Sequence, residues 1–198
     1  LIRKENGYVA SADYTLEARA PLNGYQSVFG SVIIKEITDQ AIVSIAAPSG
    51  LEAALHEAVE QNLGTKWPAI GTSTTSPEGH RLMGLQADMV FVVFAHPGRR
   101  AEMHIQDRLK ADCYLTDQSD AWVILSVTGT HVIDVLERIC PLDLSLDSFP
   151  VGAALQTSME HIGVTVFRKS EDCFWLLAAT SYAGSFCHAV ETAAKQVQ

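Results

Sequence analysis

The feature that most constrains the fold of this sequence is an internal repeat. Thr38-Asp39-Gln40 recurs 78 residues later as Thr116-Asp117-Gln118. An apolar stretch follows each triplet, at 41–47 and 121–127. Each stretch runs into a small-residue turn, Pro48-Ser49-Gly50 in the first copy and Thr128-Gly129-Thr130 in the second. An amphipathic helix is predicted after both turns. Any fold for this chain must accommodate the same order of elements twice.

The local signals place those elements. Ser49 is expected to cap the first helix, with Glu52 three residues on completing a capping box. Leu51, Leu55, Ala58, Val59 and Leu63 recur at helical spacing, and Gly64 stands where a left-handed terminator belongs. The second helix is expected to start near Thr130 and to bury Val132, Ile133, Leu136, Ile139 and Cys140. Pro141 ends it, because proline lacks the next donor and restricts the residue before it. Residues 83–86 and 89–95 flank Ala87-Asp88 as a hairpin, and 162–168 and 173–179 flank the polar turn Lys169-Ser170-Glu171-Asp172. A helix closes each half, at about 99–111 and 182–194, the second with Tyr182, Phe186, Val190 and Ala193 on one stripe.

Each half therefore reads strand, helix, strands, helix, and helices packed on one face of a mainly antiparallel sheet make an α+β protein. The pseudo-repeated halves, about 32–112 and 113–198, are expected to form one compact body, because each alone is small. Residues 71–79 read as a polar loop. Residues 1–31 show no steady period and are expected to be an N-terminal arm to the domain at 32–198.

Composition narrows the function. Of 198 residues 47% are hydrophobic and 19% charged, which is ordinary for a globular chain. A net charge of −9 repels a phosphate backbone and an anionic bilayer, so neither nucleic acid nor membrane is expected as a partner. No apolar run reaches the length of a membrane span, and residues 1–5 lead into no signal-peptide core. A cytoplasmic protein is the expectation. Cys113, Cys140, Cys173 and Cys187 form no C-x-x-C pair, so they read as small buried hydrophobes in a reducing compartment, not a zinc knuckle or redox dithiol.

The motifs of common enzymes are missing from the sequence. It has no G-x-G-x-x-G dinucleotide cradle, no P-loop and no G-x-S-x-G nucleophile elbow. His56 with Glu57 and Glu60 invites a metal reading, but no H-x-x-x-H completes it, and a solvated helix face is the expectation. His96 before Pro97-Gly98 is expected to be a turn residue. His104, His131 and His188 fall on helices as surface or core residues, and His80 carries no legible chemistry. Asp143 and Asp147 are read as part of a structural turn, because nothing separates their environments as acid–base work requires. Arg99-Arg100 reads as surface. Asp39 and Asp117 each stand before a strand, and their repetition favours a turn that sets strand entry. No catalytic, cofactor-binding or metal residue is assigned to this chain.

One series of residues carries a resemblance. It runs Thr116-Asp117-Gln118-Ser119-Asp120-Ala121-Trp122, Cys140-Pro141-Leu142-Asp143-Leu144, Phe149-Pro150-Val151-Gly152, Thr157, His161-Ile162, Phe174 and Ser181-Tyr182-Ala183. In order and spacing this resembles the gamma subunit of heterotetrameric sarcosine oxidase, from Thr116 to about Val190. The first half fits more loosely, through Thr38-Asp39-Gln40 and the helix after Gly50. One departure is Gln156, where the family carries an arginine before the threonine.

The resemblance implies a fold similar to the folate-binding domains of aminomethyltransferases. It also implies a non-catalytic, structural place beside alpha, beta and delta subunits in a complex that oxidises sarcosine to glycine. FAD, FMN, NAD and tetrahydrofolate are then expected on the larger subunits and zinc on the delta subunit, with no cofactor on this chain. The equivalent subunit of N-methylglutamate dehydrogenase, or a free-standing folate-binding protein, are the alternatives. An obligate interface is expected to expose apolar surface, with Trp67, Trp122 and Tyr25 as candidates.

Overall fold

The apolar stretches after the two triplets are rich in β-branched residues, and they form the two central strands of the protein. The structure, a computed structural model, describes residues 19–98 and 100–197. Along the chain come β1 (Gln26–Phe29), β2 (Val32–Ile37), β3 (Gln40–Ala46), α1 (Glu52–Leu63), β4 (Ser73–Thr75), β5 (Arg81–Gly84) and β6 (Met89–Ala95). Then follow α2 (Ala101–Leu109), β7 (Tyr114–Asp117), β8 (Trp122–Thr128), α3 (Val132–Leu136), β9 (Ala154–Met159), β10 (Ile162–Ser170), β11 (Cys173–Ala179) and α4 (Ala183–Lys195). All strand pairs are antiparallel, in a six-stranded sheet ordered β1-β2-β8-β11-β10-β9 and a five-stranded sheet ordered β4-β5-β6-β3-β7.

The repeat appears as β3-α1-β4-β5-β6-α2 against β8-α3-β9-β10-β11-α4, with one exchange. β2 leaves its own half to pair with β8, and β7 leaves its half to pair with β3. These two ladders form one bent antiparallel ribbon. Its register reaches Ile37↔Ile124 on one side, and six residues on Val43 faces Asp117, not Gln118, so one residue is taken up at the bend. The bend is held by Gln118 N donating to Ile42 O at 2.7 Å and Ile42 N donating to Ser119 Oγ at 3.1 Å. Both Thr-Asp-Gln triplets are thus corners at which the ribbon passes from one sheet to the other.

The two sheets stack face to face with helices outside, giving four layers. Ile42, Met83, Phe91, Val93, Ile124, Phe167, Trp175 and Leu177 fill the space between the sheets. Val32, Ile34, Leu125, Val166, Phe174 and Leu176 pack under α3 and α4, and Val43, Ile45, Leu82, Val92 and Phe94 under α1 and α2. The fold is α+β with antiparallel sheets, as expected. Strands buried on both faces explain why 41–47 and 121–127 read as apolar runs without strict alternation, broken only by Ser44 and Ser126.

Several local expectations are corrected. Gly50 takes φ +83° and carries the chain past Ser49, so Leu51 precedes α1 and no side chain caps it; Glu52 instead accepts a hydrogen bond from Gly50 N at 3.0 Å. Gly64 ends α1 in the left-handed conformation, as expected. α3 is only five residues long, and the chain continues as turns to Pro141, which disfavours helical geometry at Cys140; Ile133 and Ile139 are only half-buried. β10 runs on to Ser170 through a register shift, leaving only Glu171-Asp172 as the turn. Tyr182 lies in a 3-10 turn before α4, 54% exposed, and the buried stripe is Ala183, Phe186, Cys187, Val190, Ala193 and Ala194.

The loop expected at 71–79 contains β4. Of the expected arm, 1–18 lies outside the described residues. Gln26–Phe29, however, forms the edge strand β1, because Tyr25 and Phe29 pack against the core beneath α4 and draw the chain onto β2.

Candidate functional site

The corner of the ribbon leaves a cleft of about 1200 Å³ where both triplets meet the ends of β6 and β8. Glu36, Asp39, His96, Arg100, Asp117 and Trp122 are among the residues that line it. The repeated aspartates are not equivalent there. Asp117 accepts hydrogen bonds from Ala101 N at 3.0 Å through Oδ2 and from Ser119 N at 2.9 Å through Oδ1. It therefore joins the start of α2 to the corner. Partial burial works against its charge, but the hydrogen bonds from Ser119 and Ala101 hold its carboxyl below the ordinary 3.8. Among the described residues the Asp39 side chain hydrogen-bonds only Gln40 Nε2, at 3.3 Å, while its backbone oxygen accepts from His96 N.

Glu36 is 2% exposed and closes the other side of the cleft. Its carboxylate accepts from Leu22 N at 2.9 Å and Gly24 N at 2.7 Å, folding residues 19–24 onto β2. The buried charge is compensated by these two donors. Tyr25 then donates to Glu191 on α4. Burial, with Glu191 second, pushes the Tyr25 hydroxyl up to about 12. Arg100 takes φ +63° at the start of α2, its side chain 76% exposed and 3.8 Å from Glu102. Arg99 lies outside the described residues.

The remaining sequence candidates are scattered. His56 stacks on Trp67 with ring centroids 4.7 Å apart. His131 pairs with Asp134 at 2.7 Å on the surface, and His188 stands 4.0 Å from Glu191. Glu160 and His161 both have positive φ and make the two-residue turn between β9 and β10. Asp143 accepts from Ser145 N and Ser148 Oγ, which hold its carboxyl below the usual range, and Asp147 is exposed beside it. Among the described residues no three His, Cys, Asp or Glu side chains gather as metal ligands. The four cysteines are free.

Two features went unread in the sequence. Arg168, 1% exposed, donates through Nη1 to Leu144 O at 2.7 Å and Phe149 O at 2.8 Å, and through Nη2 to Glu171 O at 2.7 Å. It clamps the segment that carries Cys140-Pro141-Leu142-Asp143-Leu144 and Phe149-Pro150-Val151-Gly152, with its guanidinium over Phe174. The signal was its place after Val164 and Val166 on the buried parity of β10. The second feature is His80, buried and joined to His104, which no periodicity announces. Trp67, Trp122 and Tyr25, the candidates for an interface, are each half-buried: Trp67 stacks on His56, Trp122 stands edge-on to Phe91 at the cleft, and Tyr25 donates to Glu191. Among the described residues the large exposed apolar side chains are Val28, Ile33, Leu51, Ile70, Met103, Tyr114, Leu146, Val151 and Tyr182, with Val28 facing Ile33 across β1 and β2.

No family model matches the chain. Among solved structures, heterotetrameric sarcosine oxidase from Corynebacterium sp. U-96, in complex with pyrrole 2-carboxylate, has a chain matched at TM-score 0.77. The identity is 22%, covering 90% of this chain and 95% of that one. The glycine cleavage system aminomethyltransferase T from Bartonella henselae is matched at TM-score 0.55 and 15% identity, over 78% of this chain and 44% of that one. Both likenesses show the fold. Sequence relatives carry the assignment further. A sarcosine oxidase gamma subunit from Arthrobacter sp. is 27% identical over 164 residues, covering 82% of this chain and 79% of that protein. One from Corynebacterium sp. (strain P-1) is 30% identical over 166 residues with the same coverage. The chain belongs to the family of sarcosine oxidase gamma subunits.

Proposed function

We propose that this chain is a structural subunit of a heterotetrameric sarcosine oxidase, an assembly that oxidatively demethylates sarcosine to glycine in the cytoplasm. The observation that carries this reading is the 30% identity to a gamma subunit across 82% of the chain. In the proposed assembly it docks with alpha, beta and delta subunits. FAD, FMN, NAD and tetrahydrofolate reside on the larger partners and zinc on the delta subunit, so one-carbon transfer to tetrahydrofolate takes place away from this chain. A non-catalytic role is supported by the cleft itself, where Glu36 and Asp117 are each committed to two backbone N–H groups. The halves at about 32–112 and 113–198 act as one body in this role, and the exposed Val28–Ile33 pair is available surface for a partner.

The test is purification of a tagged chain from its native host. Recovery with three other chains in equal ratio, and oxygen consumption driven by sarcosine, are expected. Recovery of the chain alone, in a state that consumes no oxygen, overturns the reading. If the complex oxidises N-methylglutamate in place of sarcosine, the chain serves the related dehydrogenase. The cleft volume and the fold shared with aminomethyltransferase T favour one further reading, a free-standing folate-binding protein. Calorimetry with tetrahydrofolate separates it, because micromolar binding by the lone chain replaces the structural role.

A further inference from the structure

Three imidazoles meet around one phenylalanine ring beneath α2. The ring centroids of His80, His96 and His104 lie 5.0, 5.7 and 5.2 Å from that of Phe94, and the His96 and His104 rings are 5.4 Å apart. The hydrogen bonds assign their protons. Arg108 Nε donates to His104 Nε2 at 3.0 Å. In the neutral pair His80 Nε2, 3.3 Å from the same nitrogen, is therefore the donor across their contact. His80 Nδ1, 3.2 Å from Ser76 Oγ, then accepts the Ser76 hydroxyl, and the same oxygen accepts from His80 N at 3.1 Å. His104 Nε2 thus faces two N–H donors with a single lone pair. Adding a proton there removes the acceptor from both and sets imidazolium against guanidinium.

The charged groups around the pair are few. The 76–80 loop contributes Glu78, which holds Arg108 Nη1 at 3.1 Å and is itself largely exposed. The end of β6 contributes His96, and α2 contributes Asp107 and Arg108. α1 meets α2 here through the Asn62 amide, which donates to Leu109 O. His80 is only 4% exposed, so its cation has little water to turn to.

We propose that His80, His104 and Arg108 form an acid-sensitive latch, whose protonation releases α2 and the 76–80 loop from the sheet and, through His96, loosens the wall of the cleft. Burial first, then the Arg108 charge, hold both imidazoles below the ordinary value of 6.5. The sign follows. Well above 6.5 both imidazoles are neutral whether the latch is closed or open. As pH falls below 6.5 the open form takes up protons that the closed form refuses, and the closed form loses up to tenfold in population per pH unit for each proton. The loss levels off once the depressed values of the closed form are passed.

Hydrogen exchange by mass spectrometry tests this on the full chain as purified from its host, at pH 7.5 and 5.0 with intrinsic rates corrected. Protection over 76–80 and 101–109 is expected to fall at least tenfold, while 183–195 changes by less than about twofold. Unchanged protection in α2, or an equal loss in α4, overturns the latch. His104→Gln keeps an acceptor for Arg108 without a titrating group, and its α2 should stay protected at pH 5.0. Should that variant not fold, ring-labelled histidine NMR on the unaltered chain decides, since His80 and His104 both titrating near 6.5 also overturn it. The readouts concern this chain's own helices and stand whether or not the assembly is a sarcosine oxidase.

Discussion

At the scale of single residues, Arg168 carries more of the fold than any polar residue around the cleft. Its three carbonyl partners lie in two segments that have no strand or helix to hold them, so the guanidinium supplies donors that secondary structure elsewhere provides. Arg168→Ala leaves those carbonyls without a donor and should lower the free energy of unfolding by about 3 kcal/mol or more. Urea denaturation checks it, and a loss under about 1 kcal/mol would refute the clamp.

Two glycines make an opposed pair. A Cβ at Gly129 would lie 2.0 Å from Ser31 O, at φ +143°, because the turn after β8 passes against the start of β2. Gly184 sits exposed in α4 with nothing within 4 Å of a Cβ. Gly129→Ala should prevent recovery of folded protein, while Gly184→Ala should stabilise by about 0.5–1 kcal/mol through helix propensity. Thermal melts of the two variants measure both.

At the scale of elements, the two triplets show how a repeated motif acquires unequal duties. Both aspartates mark corners, but only Asp117 reaches a helix start. Asp117→Ala should cost about 1 kcal/mol, the usual worth of a capping carboxylate, and fray α2 first. Asp39→Ala should stay within about 0.5 kcal/mol. The Asp117 contribution has a defined pH window. Its carboxyl is depressed in the folded chain, so the stability it adds is present above 3.8 and is lost as pH falls through the folded value. Chemical denaturation of the parent and of Asp117→Ala between pH 5 and 2.5 should therefore converge at the acid end. A gap that persists there would mean that charge plays no part.

At the scale of the whole molecule, the exchanged strands decide how the chain folds and fails. Neither sheet can be completed from one half, because β2 belongs beside β8 and β7 beside β3. The central contacts therefore join residues some 70 to 95 positions apart, which binds both sheets into one cooperative unit. Fragments 1–112 and 113–198 should each lack cooperative melting, and mixing them should restore it by rebuilding the ribbon. Circular dichroism melts measure this, and a cooperative transition in either fragment alone would show that the ribbon is dispensable. The same architecture buries the central strands on both faces. Apolar surface for a partner is therefore found on edge strands and turns, at Val28, Ile33, Ile70, Tyr114 and Val151.

What the sequence determined by itself is the order strand, helix, hairpin, helix in each half, since this rests on local chemistry; the edge strands β1 and β4, read as arm and loop, were not legible. Apolar runs made β3 and β8, Gly64 stopped α1, Pro141 bounded the turn after α3, and the triplet spacing announced two copies of one plan. The ordered match from Thr116 to about Val190, with Thr116-Asp117-Gln118 and Cys140-Pro141-Leu142-Asp143-Leu144, also made the family legible. Tertiary structure alone decided the exchange of β2 and β7, the joining of Arg168 to Leu144 and Phe149, and the meeting of His80 with His96 and His104. The physical reason is separation. Periodicity reports which face of an element is buried, but not which distant element buries it. A polar side chain becomes a clamp, a cap or a latch only when the fold brings its partner within hydrogen-bond distance.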